Sequence, residues 1–283
     1  MKIIEPSVEL WQQDVDWKTH VANCARICYR SENKTNNEKL IDNLLVSKHL
    51  SMFRHRSVYW IIPIIKIQNT NIWTAITILM TNNVYVRHRA DKNKYYIATN
   101  GQFYIENLDK LEILNEYIVD SLTFLNTEIG HKIARYTFKI VTQISTSREL
   151  NRVSPNNISE QSTRYVYEDG TLCRPHWLSK DASNVFDIKG DKLNASELRY
   201  LNTCENAFIE YKNLIDAGLN RQDARGVLPL DTATVCAYTY FIDEWMHIID
   251  LRYYGTTGKP HPNAKIIAGR IRHCLLNEGY EFI

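Results

Sequence analysis

The sequence predicts an α+β protein. Stretches of apolar residues at helical spacing lie at both ends of the chain, a few antiparallel-looking strands are interleaved with them, and no repeat, linker or low-complexity tract intervenes. At 283 residues the chain is one large domain, 1–283, with an expanded middle section at about 60–135.

In chain order, residues 17–29 (WKTHVANCARICY) and 38–50 (EKLIDNLLVSKHL) read as helices, with Leu40, Ile41, Leu44 and Leu45 on one face of the second. Residues 57–67 (SVYWIIPIIKI) read as a strand whose proline places it at an edge or a bulge. The stretch 72–90 mixes Ile, Thr and Val and suits strand or helix equally. Residues 107–126 (NLDKLEILNEYIVDSLTFLN) carry the pattern of one amphipathic helix. Residues 134–145 alternate and are β-rich, predicting a strand, and a polar segment follows as far as a turn at Asp169–Gly170. A long helix over 195–217 is closed by Gly218, and a short one capped by Asn220 is stopped by Pro229. Residues 241–252 form a helix with Ile242, Trp245, Ile248 and Ile249 as its stripe; Gly255 and Gly258 break it, and Pro262 opens the last helix through about Leu276.

Composition narrows the function classes. The hydrophobic fraction is 44%, ample for a core, and the net charge of +2 provides no basic field for nucleic acid, so anion recognition has to come from local arginines. The first residues lack a signal-peptide pattern, and the longest apolar stretch, 58–67, is interrupted by Pro63 and Lys66, so no membrane span is expected. Six cysteines show neither a C-x-x-C pair nor finger spacing. Cys24 and Cys28, four apart on a helix, suit a metal or two buried small residues; burial is the expectation. The chain is read as cytoplasmic, in a reducing compartment, with no metal, nucleic-acid or membrane partner.

Chemistry concentrates in 147–165, which holds Arg148, Glu149, Arg152, Glu160, Ser162, Arg164 and Tyr165 directly after a strand. Loops on a rigid strand are natural binding sites, and arginine forks bind phosphate bidentately while Ser159, Ser162 and Thr163 add neutral donors. A dianionic phosphate ligand is one reading; a solvated surface loop is the other. Arg225, in DARGVLP, and Arg252, at the end of its helix, are positioned either to join the same ligand or to serve as a surface charge and a helix cap.

These segments together resemble the flavin-dependent thymidylate synthases. SEQSTRY (159–165) is similar to the second half of that family's central motif, in which an RHR triplet precedes S-x-R-Y. HLSMFRHRS (49–57) resembles the family's H-x-S/T-x-x-E-H stretch, ARGVLP (224–229) its ARxVLP, and WMHIIDLRYYGTTGKPHP (245–262) a run of its longer bacterial and phage subfamily. The resemblance implies an antiparallel sheet flanked by helices, and a homotetramer with active sites between chains. It also implies reductive methylation of dUMP to dTMP, with FAD as cofactor, methylenetetrahydrofolate as methylene donor and NADPH as reductant. By position it assigns dUMP contacts to Glu149, Arg152, Glu160, Gln161, Ser162, Thr163, Arg164, Arg225 and Arg252. Flavin contacts fall on His49, Ser51, Arg152, Ser159, Glu160 and His247. Arg252 and Ser162 are its catalytic positions, Arg252 facing the uracil carbonyls and stabilising charge that develops on the ring. No nucleophilic cysteine is required.

The sequence departs from the family at the triplet, which reads Arg152–Val153–Ser154, and at Arg54, which stands where an acid is usual. One lost charge-assisted hydrogen bond is worth about 1.5–3 kcal/mol, so FAD binding is expected to be about tenfold to a hundredfold weaker unless compensated. RHR occurs elsewhere at 54–56 and 87–89, outside the motif's context. This asymmetry admits two alternatives: C5 hydroxymethylation of dUMP or dCMP, which ends with water in place of hydride, and an inactive nucleotide-binding homologue.

Overall fold

The computed structural model describes residues 1–12, 16–31, 33–182, 185 and 192–282. From the N-terminus come β1 (Lys2–Ile4), β2 (Ser7–Trp11), α1 (Trp17–Ile27), α2 (Asn37–Val46), a 3₁₀ turn (Leu50–His55), β3 (Ser57–Pro63), α3 (Thr70–Met80), β4 (Val86–Ala90) and β5 (Lys94–Asn100). The middle continues with α4 (Gly101–Glu106), α5 (Leu108–Leu111), β6 (Ile118–Val119), α6 (Ser121–Leu125), α7 (Glu128–His131), β7 (Arg135–Gln143) and α8 (Ile144–Leu150). The last part holds β8 (Ile158–Glu160), β9 (Thr171–Cys173), α9 (Ala195–Asp216), α10 (Arg221–Ala224), β10 (Ala233–Phe241), α11 (Ile242–Ile249) and α12 (Pro262–Asn277).

Local chemistry starts and stops the main helices. Asp16 caps α1 by accepting from Thr19 N; Asn194 and Glu197 form a reciprocal capping box on α9; His261 caps α12, whose first residue is Pro262. Gly218 closes α9 with φ +100°, a left-handed backbone that suits glycine.

Two antiparallel sheets organise the chain. The first has the order β2–β7–β10–β8, and its central pair runs unbroken from Ala233 opposite Gln143 to Phe241 opposite Arg135. On one face α11 and α12 bury Trp245, Ile248, Ile267 and Ile271 against Phe138, Ile140, Tyr238 and Tyr240. Trp245 meets Phe138 edge-on at 4.9 Å and donates from Nε1 to Tyr136 O at 3.0 Å, so its one polar atom is satisfied. On the other face α1 packs Cys24 and Ile27 onto Ala237. Each large aliphatic or aromatic side chain so buried contributes about 1.5–3 kcal/mol. The second sheet, β4–β5–β3–β6, covers its own core of Trp60, Ile62, Ile76, Leu79, Ile97 and Leu114 with α3. Tyr59, Phe124, Ile133 and Phe241 join the two sheets.

The architecture is therefore mixed helix and antiparallel sheet, as the sequence predicts, with two differences and one open stretch resolved. The single helix expected over 107–126 is broken into α5, a 3₁₀ turn, β6 and α6, because Val119 pairs with Tyr59 in the second sheet while Phe124 packs on the opposite side of it. The 57–67 strand is not an edge: β5 and β6 flank it, and Pro63 is tolerated because it is the last residue, beyond the reach of β6. The ambiguous 72–90 segment is helix first and strand afterwards.

Candidate active site

β8 extends the first sheet by pairing Ser159 with Ala237 and Glu160 with Cys236, which delivers 160–165 to the space between α8 and the end of α1. Backbone bonds hold the segment there, Gln161 N to Val235 O at 2.9 Å and Ser162 N to Cys28 O at 3.1 Å. Glu160 Oε1 accepts from Ser147 Oγ at 2.8 Å and Thr234 Oγ1 at 3.1 Å. Burial raises the Glu160 carboxyl above its ordinary value, while these hydroxyls and the Arg148 charge oppose the rise. Gln161 Nε2 donates to Glu168 Oε1 at 3.2 Å, fixing which way the amide points.

Two residues further along α8, Glu149 gathers the expected cations. Arg252 Nη2 lies 3.1 Å and Arg152 Nη2 3.3 Å from its Oε2, and Arg252 Nε donates to Glu149 O at 2.6 Å. Arg252 rides on a π-helical turn, Asp250–Tyr254, that ends at Gly255 with φ +75°. A Cβ on Gly255 would come within 2.9 Å of Gly258 O and Pro260 Cδ, so only glycine closes the turn. Burial and the Arg152 charge lower the Arg252 guanidinium's affinity for its proton, and Glu149 counteracts them.

A second group closes over the tip of the loop. Arg225 Nη1 donates to Thr163 Oγ1 at 3.0 Å, Arg164 Nη2 to Gln222 Oε1 at 3.3 Å, and Arg221 Nη1 to Tyr165 O. Sequence reasoning missed Arg221, although it lies four residues before Arg225, the spacing of one helix face. It also missed Ser147 and Thr234, whose role is set by register alone. No hydrogen bond or ion pair among the described residues joins this group to the Glu149–Arg152–Arg252 cluster.

The residues assigned to the flavin are placed differently from one another. His49, Ser51 and His247 are exposed, and their side chains make no hydrogen bond among the described residues. Ser159 is fully buried: its hydroxyl meets His55 Nε2 at 3.0 Å and Met52 S at 3.6 Å, so it faces the interior and not an open site. From His55 Nδ1 a buried chain continues to Thr239 Oγ1 at 2.8 Å, to Thr137 Oγ1 at 2.7 Å and to His20 Nε2 at 3.0 Å. Burial first, then neighbouring positive charge, pushes His20 down to about 4 and His55 well below the usual imidazole value, so both are neutral.

At the altered triplet Val153 packs partly buried against the main core, while Ser154 is exposed. Of the two displaced RHR runs, Arg54 reaches this loop: Nη1 donates to Asn156 O at 3.1 Å, and Asn157 Nδ2 returns a bond to Arg54 O at 2.9 Å. Arg87 is committed elsewhere, to Asp243 at 2.7 Å and Glu244 at 3.4 Å. Cys24 is buried and Cys28 half-buried, both with thiols raised by burial. Among the described residues no group of three or more His, Cys, Asp or Glu side chains is arranged to hold a metal ion, and no helix is long and apolar enough to cross a membrane.

A flavin-dependent thymidylate synthase of Kosmotoga olearia is 31% identical over 124 residues, 41% of this chain and 53% of that protein, so the match spans about half the relative's length. Crystal structures of a UMP/dUMP methylase, PolB from Streptomyces cacaoi, bound with 5-Br dUMP or 5-Br UMP, align over 98% of this chain and 93% or 92% of theirs. The TM-scores are 0.46 and 0.45, both at 18% identity. The family model for thymidylate synthase complementing protein (Thy1) matches residues 131–274, from just before β7 into α12, about half of the chain and all of the loop just described. The chain belongs to this family, that of the flavin-dependent thymidylate synthases.

Proposed function

We propose that this protein methylates C5 of dUMP to form dTMP, with reduced FAD as cofactor, methylenetetrahydrofolate as methylene donor and NADPH as reductant. The observation that carries the reading is the tip of the loop, where Arg164, Arg225 and the hydroxyls of Ser162 and Thr163 lie together, held by backbone bonds to β10 and the end of α1. Arginine forks with hydroxyl donors match a phosphate monoester. Arg252 and Arg152, held in place by Glu149, offer fixed positive charge to the oxygen that gains electrons as C5 reacts. Glu160, half-buried and accepting two hydroxyls, and Gln161, fixed by Glu168, would supply the polar edge that orients a uracil.

A bound flavin would supply the one-carbon relay and the hydride. His49, Ser51 and His247, exposed and without side-chain hydrogen bonds among the described residues, would hold its polar atoms, and Arg54 would supply a cation beside the altered triplet. Ser159 acts from beneath, holding His55 and the base of the loop. The reading includes, from the resemblance, a homotetramer whose neighbouring subunits complete each site.

A second reading, hydroxymethylation of dUMP or dCMP, is favoured by one observation: Val153 occupies core space where the family presents a histidine. Both are tested by incubating purified protein with dUMP, methylenetetrahydrofolate, FAD and NADPH and weighing the product. A gain of about 14 mass units marks a methyl and about 30 a hydroxymethyl, the products of two alternative reactions on one site. Calorimetric dUMP binding with no turnover under any cofactor mixture would overturn both in favour of an inactive binder.

A further inference from the structure

The proposed reaction leaves one cation unexplained. Arg56 lies with its guanidinium over the Trp17 ring at 4.1 Å and faces the Tyr104 ring at 5.2 Å, so the stacked faces of the group are taken. Its stem is pinned from behind, because Gly101 leaves room for it: a Cβ there would fall 2.8 Å from Arg56 Cβ. Only the donor edge is free. Its buried Nε has no hydrogen-bond partner, and among the described residues no carboxylate pairs with it. A guanidinium carries five N–H donors in a rigid fork; Arg56 itself is half-buried, and leaving its buried Nε–H without an acceptor is unfavourable.

The residue lines a cavity of 420 Å³, walled by Trp17, His20, Tyr59, Val119 and Leu122, with the hydroxyls of Ser57 and Ser121 at its edge. That volume lies within the roughly 300–1,000 Å³ of small-molecule sites, and a mainly apolar wall with a few polar groups is their usual make-up. Asp120, also at the edge, is already spent on capping α6, accepting from Thr123 N at 2.8 Å and Thr123 Oγ1 at 2.6 Å. None of these residues belongs to the loop assigned to the nucleotide. The cavity touches that loop only indirectly, through the chain that begins at His20 and ends at Ser159.

We propose that this cavity is a second ligand site, taking a small organic anion, a carboxylate or phosphate ester that carries one flat ring. The anion is held on the Arg56 fork, and the ring lies against Tyr59, Val119 and Leu122.

Calorimetric titration of the full chain with benzoate, phenyl phosphate, inorganic phosphate and benzyl alcohol tests this. Benzoate or phenyl phosphate is expected to bind saturably, and the tighter of the two names the anion. Inorganic phosphate, without the ring, and benzyl alcohol, without the charge, are expected to bind far more weakly. Arg56→Gln is expected to weaken the anion about tenfold to a hundredfold, the worth of a charge-assisted bond, while leaving dUMP binding unchanged. Leu122→Tyr fills the mouth without touching the cation; Leu122 is 60% exposed, so this variant is expected to fold even if Arg56→Gln does not. The proposal is overturned by absence of saturable binding with either ring anion, or by binding in both variants as tight as in the wild type. Inorganic phosphate binding as tightly as phenyl phosphate, or displacement of the probe by dUMP, overturns it equally. The titration gives its answer whether or not dUMP is the substrate.

Discussion

Acidification is expected to destabilise this protein through its buried imidazoles, and His20 sets the scale. His20 is 4% exposed and bonded to Thr137, and burial, helped by the Arg135 charge, lowers it from 6.5 to about 4. Between those values the unfolded chain binds a proton that the folded chain refuses. The stability that His20 contributes is therefore complete above about pH 6.5 and falls away as pH drops toward about 4. The whole interval corresponds to about 3 kcal/mol, of which about 2 kcal/mol is gone by about pH 5. His55, depressed by its own burial and then by the charges of His20, Arg135 and Arg54, adds in the same direction. Glu160 and Glu244, both raised by burial, act oppositely, so the wild-type profile alone does not isolate the imidazole. Urea unfolding of wild type and His20→Gln, at about pH 7.5 and about pH 5, does isolate it, because the amide is neutral throughout. Wild type is expected to lose about 2 kcal/mol more than the variant across that interval. Equal losses would refute the assignment of a buried, neutral His20.

Four further outcomes follow from particular contacts. Arg225→Gln removes the donor that meets Thr163 at 3.0 Å and is expected to weaken dUMP about tenfold to a hundredfold by calorimetry, with a shallower salt dependence. Arg252→Lys cannot make both the 2.6 Å bond to Glu149 O and the 3.1 Å contact with its carboxylate, so dTMP formation is expected to fall at least about tenfold in a product assay. Gly130→Ala places a Cβ 2.2 Å from Phe124 O and 2.5 Å from Thr127 Oγ1, and is expected to cost about 1–3 kcal/mol in urea unfolding. Phe124→Ala deletes a fully buried ring stacked on Tyr59 at 4.3 Å; a loss of about 3–5 kcal/mol in the same assay is expected.

The helices that were legible in the sequence are those whose ends are written locally. Asn194 with Glu197, Gly218, and His261 before Pro262 each mark an end through side-chain or backbone chemistry within a few residues. β10 was not legible, because Ala233–Phe241 is buried on both faces and so lacks the alternation that betrays a half-buried strand. The 107–126 segment misled because Leu111, Leu114 and Tyr117 keep helical spacing while facing one core, and Phe124 faces another.

The chemistry of the site divides along the same line. By itself the sequence determined which charges exist and where they cluster: Arg148, Glu149, Arg152 and Arg164 in one polar segment, whose first residues the structure makes the helix α8, Arg225 before a proline, Arg252 after an apolar stripe. It also carried the family, since ordered motifs keep their residue types through changes of packing. Only the tertiary structure decided which of those charges meet. Glu149 and Arg252 are about a hundred residues apart in sequence and touch because α8 and the π-helical turn both pack against α12. Only the fold separated the two RHR runs, sending Arg54 to the altered triplet and Arg87 to Asp243. Only the fold turned Ser159 toward His55, because alternation along β8 points it to one side of the sheet while Ile158 packs against the main core on the other. Local sequence sets conformation and charge; long-range register sets distance, and both ion pairing and hydrogen bonding depend on distance.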